Sequence, residues 1–187
     1  MERRTKLTIE LILNLPLLLI LYTLLHETGH LIVMLSAGAT IDDFSIFGAH
    51  VSAHGGEYTD FSEMWLHANG LLLPLIVTYI YMLLYRKGSE SVFYKLFSQL
   101  AAIAALGTLL VWIILPFVYM NGKAPAGEDV TQFLNVFTKH GHPLIVSAAA
   151  AVLVAAGVFI MIRRGITHNF AETVRTEKPE AKEPTEQ

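Results

Sequence analysis

The architecture expected of this chain follows from one stretch of its sequence, Leu17-Leu18-Leu19-Ile20-Leu21-Tyr22-Thr23-Leu24-Leu25-His26-Glu27-Thr28-Gly29-His30-Leu31-Ile32-Val33-Met34-Leu35. The residues on both sides of the central five are almost all apolar, which is typical of a helix that spans a membrane. Three of the central five are ionisable, and at membrane depth each costs at least about 2.5 kcal/mol without a partner or water. We therefore expect a compensating site at this end of the span.

The five central residues have the form H-E-x-x-H, which points to zinc-dependent hydrolysis. On a helix the side chains at positions i and i+4 lie on one face, so His26 and His30 can converge on a single ion. Glu27 is the natural general base, because zinc lowers the pKa of a water toward neutrality and polarises a carbonyl under attack. The alternative is that the motif only lies in the lipid headgroup region, where such residues are tolerated. The spacing predicts one Zn²⁺ per chain.

Composition places the chain among small polytopic membrane proteins. It has 187 residues, of which 53% are hydrophobic, too apolar for an ordinary soluble domain and long enough for several spans. Cysteine is absent, so any metal must be bound by histidine and carboxylate. The basic residues form short clusters at span ends and not a stripe with interleaved aromatic residues, which argues against a nucleic-acid partner.

Hydrophobic patterning predicts an all-α membrane protein with four transmembrane helices. The predicted spans cover 7–37, 68–85, 93–119 and 143–162. Between the first two, a segment rich in glycine predicts a small hairpin with extended pieces at 44–47 and 50–52. The last part, 166–187, is charged and contains proline, and we expect it to be a disordered cytoplasmic tail.

The distribution of basic residues predicts the orientation in the membrane. Eleven of the thirteen Lys and Arg residues lie before the first span, in the connection Tyr85 to Lys95, or after the fourth span. Only Lys123 and Lys139 lie in the other connections. The positive-inside rule therefore predicts that both termini are cytoplasmic, as in the plasma membrane of a prokaryote, and that the histidine pair faces the outside.

A catalytic zinc site needs a third protein ligand besides the two histidines. Glu57 and Glu63 in the first loop are possible, but a solvated acidic loop explains them more simply. We favour Asp129, with Glu128 as the alternative, because an aspartate near the start of a short helix can present its carboxylate inward. Either residue of this pair has the simpler alternative role of capping that helix.

In their order along the chain these features resemble the site-2 protease family of intramembrane zinc metalloproteases. The shared features are the motif at the end of a span, the hairpin segment, Ala68-Asn69-Gly70 opening the next span, and a late aspartate before the final span. The chain departs from the family pattern at two motifs. Where the family has Ala-Gly-Pro followed by Asn, this chain has Ala68-Asn69-Gly70 followed by Leu71. Where the family has a late Asp-Gly, this chain has Asp129-Val130. An outward-facing site also departs from the family's usual cytoplasmic-facing arrangement.

The resemblance implies His26, His30 and Asp129 as zinc ligands, Glu27 as the residue that activates water, and a membrane-embedded metalloprotease-like domain over 1–165. His67 and Asn69 are candidate contacts to the substrate or to a developing oxyanion, although His67 is also well placed as a plain interfacial histidine. The implied partners are the lipid bilayer and a membrane-protein or membrane-peptide substrate. The oligomeric state is open.

Two other functions compete with the metalloendopeptidase. One is a non-catalytic metal-binding membrane protein, such as a pseudoprotease, sensor or metal carrier that uses the histidine-rich outer face. The other is a structural four-helix membrane protein with a fortuitous motif. Glu27 argues for the enzyme over the first of these, because a pure binding site needs no general base.

Overall fold

The computed structural model describes residues 3–175, and within this range it contains six helices and one two-stranded antiparallel sheet. In chain order the elements are α1 (Arg3–Ser36), β1 (Ala39–Ser45), β2 (His50–Gly55), α2 (Asp60–Leu83), α3 (Val92–Met120), α4 (Asp129–Phe137), α5 (Pro143–Arg163) and α6 (Ile166–Val174). The predicted helical architecture, with a hairpin between the first two spans, is confirmed.

Four helices, α1, α2, α3 and α5, are long and apolar enough to cross a membrane. Large apolar side chains cover their outward surfaces, including Leu19, Val152 and Phe159, each more than 60% exposed. Such side chains on every side of a bundle are incompatible with water and suit a hydrocarbon solvent. The protein is therefore an integral membrane protein.

The second span begins earlier than its apolar sequence predicts, at Asp60 and not at residue 68. Thr59 caps the helix: its side chain accepts a hydrogen bond from the Ser62 amide, and the Ser62 hydroxyl accepts one from the Thr59 amide. This capping box satisfies backbone donors at the helix start. The helix thus extends about two turns into polar sequence that hydropathy alone assigns to the loop.

The hairpin is longer than predicted, and its first strand lies earlier in the chain. The strand expected at 44–47 ends at Ser45, which is paired with His50 across the sheet. The Ser45 hydroxyl accepts a hydrogen bond from the Gly48 amide, and this bond closes the turn. Ala49 completes the turn with a φ of 48°, a left-handed conformation that is uncommon for a residue with a Cβ.

The main core lies between α2, α3, α4 and α5, around Leu109 and Leu134, both fully buried. Small residues allow helices to pack closely, and Gly157 on α5 is an example. A Cβ at this position would lie 2.5 Å from the Leu106 side chain and 2.6 Å from the Tyr79 hydroxyl. The absence of a side chain therefore lets α5 approach both α2 and α3.

The prediction that the chain is disordered from residue 166 is wrong for its first nine residues, which form α6. Ile166 is fully buried, and Asn169 donates hydrogen bonds to the Tyr85 hydroxyl and the Lys87 carbonyl. These contacts fix α6 against the end of α2 although its composition is polar. The rest of the predicted tail, 176–187, lies outside the described residues.

Candidate metal centre

The histidines of the motif project from one face of α1, because they are separated by about one helical turn. Their Nε2 atoms lie 3.2 Å apart. The Nδ1 atom of His30 lies 2.9 Å from the carbonyl oxygen of Leu66 on α2. Since a carbonyl only accepts hydrogen bonds, Nδ1 carries the ring proton and Nε2 keeps a lone pair free for a metal.

Asp129 reaches the same point from the first turn of α4, a hundred residues further along the chain. Its Oδ2 atom lies 3.3 Å from the Nε2 atom of His26 and 3.3 Å from that of His30. The three atoms form a nearly equilateral triangle. Tetrahedral zinc with bonds of about 2.0 Å separates its ligand atoms by about 3.3 Å, so the three residues fit such an ion and can hold it.

Two glycines allow α1 and α2 to cross closely enough to build this triangle. A Cβ at Gly29 would lie 2.2 Å from the backbone oxygen of Asn69, and a Cβ at Gly70 would lie 2.4 Å from Nε2 of His30. The side-chain amide of Asn69 donates a 2.7 Å hydrogen bond to the Gly29 carbonyl and so joins the helices at the crossing. Gly70 thus leaves the space that the histidine rings occupy.

Glu27 lies beside the triangle and lines the same cavity, which has a volume of about 470 Å³. The residue is only 4% exposed, which is unusual for a glutamate, because burying a carboxylate is costly unless it is paired or bound. It shares this cavity with the three donor residues, as expected for the base of an H-E-x-x-H motif.

The electrostatics of the cavity favour an ionised aspartate. Burial by itself raises the pKa of Asp129, but the imidazoles of His26, His30 and His67 around the carboxylate outweigh burial and hold the pKa well below its usual range. The carboxylate is therefore negatively charged at neutral pH. Two neutral imidazoles and one carboxylate form a donor set that zinc enzymes commonly use.

The structure brings His67 to the site and turns Asn69 toward the helix crossing. The Nδ1 atom of His67 lies 3.7 Å from Oδ1 of Asp129, the carboxylate oxygen that does not belong to the triangle. This distance is too long for a direct hydrogen bond, but it keeps His67 in the cavity wall. Asn69 uses its amide in the crossing and does not line that cavity.

The other candidate acids lie outside the cluster of donor atoms, which contains only His26, His30 and Asp129 among the described residues. Glu128 is the N-cap residue of α4, makes no side-chain capping hydrogen bond and lines the cavity. Glu63 is in the first turn of α2, not in a loop. Of the two neighbours Glu128 and Asp129, only Asp129 places a carboxylate oxygen in this cluster.

The turn of the hairpin forms part of the cavity wall, which the sequence did not indicate. Ala49, His50 and Val51 line the cavity. His50 is hydrogen-bonded to Asp43 across the hairpin at 2.7 Å. The position of His50 near the motif depends on how the hairpin folds back over α1, which local sequence patterns do not reveal.

One polar atom of the site has no partner within the described part of the chain. The Nδ1 atom of His26 is buried and makes no hydrogen bond there. Its neighbour on the preceding turn is Tyr22, with ring centroids 6.1 Å apart. The two histidines therefore differ: the Nδ1 atom of His30 is held by a backbone carbonyl, whereas the Nδ1 atom of His26 has no such partner.

Comparisons with protein-family models, with curated proteins and with solved structures found no match to this chain. The resemblance to site-2 proteases therefore remains a prediction from the residues of the motif and their order.

Proposed function

We propose that this protein is a membrane-embedded zinc metalloendopeptidase that cleaves peptide bonds in or near membrane-spanning substrates. The observation that carries the proposal is the triangle of donor atoms from His26, His30 and Asp129, with edges of 3.2 to 3.3 Å. A buried glutamate, Glu27, lies at its side. A metal site that only binds has no need of this residue.

Bound zinc supplies Lewis acidity, which lowers the pKa of a water and polarises the scissile carbonyl. Glu27 accepts the proton of the attacking water on its carboxylate and passes it to the leaving amine as the peptide bond breaks. The Leu66 carbonyl keeps the His30 ring in the tautomer that leaves Nε2 unprotonated. His67, in the cavity wall, is placed to donate a hydrogen bond to the oxygen on which negative charge develops.

The hairpin suggests how a substrate is held. A helical substrate hides its carbonyls within its own hydrogen bonds, so it must become extended before attack. The hairpin has only two strands, β1 and β2, so each has one edge without a strand partner among the described residues. We propose that the substrate adds to one of these edges as a further strand, beside the turn that lines the cavity.

We propose that both termini are cytoplasmic and that the metal centre opens on the opposite side, in the plasma membrane of a prokaryote. Support comes from the excess of Lys and Arg at the ends of the spans that lie opposite the metal centre. Arg86, Lys87, Arg163 and Arg164 flank the ends of α2 and α5 that lie far from the histidines. Cysteine accessibility at the hairpin turn and at Gly88, after α2, tests the orientation.

Zinc content tests the metal site without any knowledge of the substrate. We expect about one zinc per chain in detergent-purified wild type, and loss of zinc in His26→Ala and Asp129→Ala, because two remaining ligands hold zinc weakly. His140→Ala is the matched control, since this exposed histidine pairs with Asp60 outside the cluster. Equal zinc in all four proteins would contradict the assignment of the ligands.

Cleavage is tested with Glu27→Gln, which preserves size and removes the basic carboxylate. Membranes from cells that produce wild type or the variant are compared by mass spectrometry of new peptide termini. We expect termini that depend on wild type and vanish in Glu27→Gln, while the zinc content of the variant is unchanged. Glu63→Gln, outside the metal cluster, is the control. Identical termini in wild type and Glu27→Gln would refute the proteolytic mechanism.

One observation supports a second candidate, a non-catalytic metal-binding membrane protein. His50 and His67 line the same cavity as the three proposed ligands, and extra imidazoles beside a metal site are suited to passing an ion onward. A carrier of this kind is expected to transport zinc into proteoliposomes equally well with Glu27 or with glutamine at that position. A protease is expected to show no transport.

A further inference from the structure

The metal centre lies almost a full membrane thickness away from the basic end of the bundle. On α2, Leu66, whose carbonyl binds a histidine of the site, lies about 26 Å along the helix from its last residue, Leu83. On α1, His26 lies about 30 Å from Lys6 and about 24 Å from Glu10. The hydrocarbon core of a membrane is about 30 Å thick. Even with the usual tilt of about 20°, both helices place the centre within about 8 Å of the far boundary of that core.

Aromatic side chains mark this boundary at the start of α2. Trp65 precedes Leu66 and is 47% exposed, and its ring stacks on that of Phe61, with centroids 6.2 Å apart. Tyr58 lies just before the helix and is also exposed. Tryptophan and tyrosine are enriched where the hydrocarbon meets the lipid headgroups. The residue that binds His30 therefore lies at this level and not near the middle of the membrane.

Charged side chains lie at the same level and just beyond it. Most of the residues that line the cavity of the metal centre are ionisable, and two of these, His50 and Glu128, are exposed. Toward the start of α2, Asp60 pairs with Lys139 and His140. Ionisable groups at membrane depth each cost at least about 2.5 kcal/mol, so this end of the bundle suits headgroups and water. The cavity thus opens to water.

The depth of the centre determines which part of a substrate can reach it. Hydrolysis needs an extended segment, because a helix engages its carbonyl groups in its own hydrogen bonds. In hydrocarbon, backbone groups that leave a helix find no partner and cost several kcal/mol each. At the boundary, water binds the same groups, so a segment is extended there at little cost. A bond at the middle of a span lies about 15 Å from this boundary.

We propose that the substrate bond lies in the short segment by which a membrane-spanning protein leaves the membrane on the side of the metal centre. This inference rests on the proposed proteolytic function and specifies its substrate. The segment lies along the hairpin, whose turn lines the cavity. The hydroxyl of the attacking water joins the carbonyl carbon, and its proton goes to the leaving nitrogen. One product stays in the membrane as a span, and the other is released with the part outside the membrane.

Tryptophan fluorescence measures the depth of the centre without any substrate. The chain has two tryptophans, so Trp112→Phe leaves Trp65, next to Leu66, as the only one. Quenching is compared in vesicles of phosphatidylcholine whose acyl chains carry bromine either near the headgroup or near the methyl end. We expect bromine near the headgroup to cause the larger loss of Trp65 fluorescence.

The matched control carries its single tryptophan at the middle of a span. Val152 is 68% exposed near the centre of α5, and Val152→Trp is made together with Trp65→Phe and Trp112→Phe. For this variant we expect the reverse order, with the larger loss from bromine near the methyl end. If Trp65 follows the order of this control, the centre is deep and the proposal is overturned.

The positions of the cleavage sites test the substrate itself. Peptide termini that are present with wild type and absent with Glu27→Gln are located in their parent proteins. We expect them within about five residues of the end of a span, since five helical residues cover about 8 Å. They should lie on the side of the metal centre, with the outer fragment released from the membrane. Glu63→Gln, the control, should give the wild-type termini.

The outcomes separate this inference from the function on which it rests. Termini that depend on Glu27 but lie at the middle of spans overturn the inference and leave the protease standing. Absence of any such termini refutes the protease, and the inference falls with it. If Trp112→Phe fails to fold, the positions of the termini decide the question alone.

Discussion

Replacing Gly70 with alanine is expected to destroy zinc binding although no ligand is changed. A Cβ at this position would lie 2.4 Å from Nε2 of His30 and 2.8 Å from Cε1 of His26. Ordinary contact requires about 3.5 Å, so the His30 ring must move by about 1 Å. Zinc tolerates errors of about 0.2 Å in its bond lengths. The ring cannot move freely, because its Nδ1 atom is bound to the Leu66 carbonyl.

The expected magnitude follows from weaker perturbations of metal sites. Loss of a hydrogen bond that orients a metal-binding side chain lowers metal affinity by about 10 to 100-fold. Displacing the ligand atom itself should lower the affinity by more than this. We therefore expect zinc binding to be weaker by at least about 100-fold, or about 2.7 kcal/mol. The dissociation constant is measured by competition with a chromophoric chelator in detergent solution.

The matched control is Gly107→Ala on α3, where a Cβ meets no atom within 4 Å. We expect this variant to bind zinc as wild type does. Thermal unfolding of the zinc-free proteins separates a local effect from misfolding. Gly29→Ala, whose Cβ would overlap backbone atoms of Asn69, should instead lower the unfolding temperature. Wild-type zinc affinity in a folded Gly70→Ala protein would refute the argument.

Three smaller predictions follow from hydrogen bonds and ion pairs. Asn69→Ala removes the bond that joins α1 to α2 and should lower the free energy of unfolding by about 1 kcal/mol, measured by denaturant titration. The hydrogen bond that His50 donates to the Asp43 carboxylate and a backbone hydrogen bond raise the pKa of His50, so Asp43→Asn should lower that pKa in an NMR titration. The stabilisation from this pair is full below the ordinary histidine pKa and is lost as pH rises through the raised one. Lys139→Met should leave the unfolding temperature unchanged, because its exposed pair with Asp60 is screened by solvent.

The sequence predicted the spans and the histidine pair because both depend on local periodicity. Apolar runs determine where a helix can cross a membrane, and the i, i+4 spacing places His26 and His30 on one face. The start of α2 was missed because the capping box at Thr59 is a local polar signal inside a segment that hydropathy assigns to the loop. α6 was missed because Ile166 and Asn169 stabilise it through contacts with distant residues.

The rest of the site could not be read from periodicity at all. Asp129 was favoured only as one of two neighbouring acids, and the difference between them depends on how α4 docks against α2. Gly70 was noticed as part of a motif, but its proximity to His30 depends on the crossing of two helices. The hairpin turn reaches the cavity for the same kind of reason: β1 and β2 fold back over α1.

The shortness of α4 links metal binding to the folding of this segment. A helix of nine residues is too short to be stable by itself in water, so the position of Asp129 depends on docking against the spans. We therefore expect the affinity for zinc to contain the free energy of docking α4, and by reciprocity we expect zinc to stabilise the docked helix. Substitutions at Leu134, which is fully buried on α4, can accordingly tune metal affinity without altering any ligand.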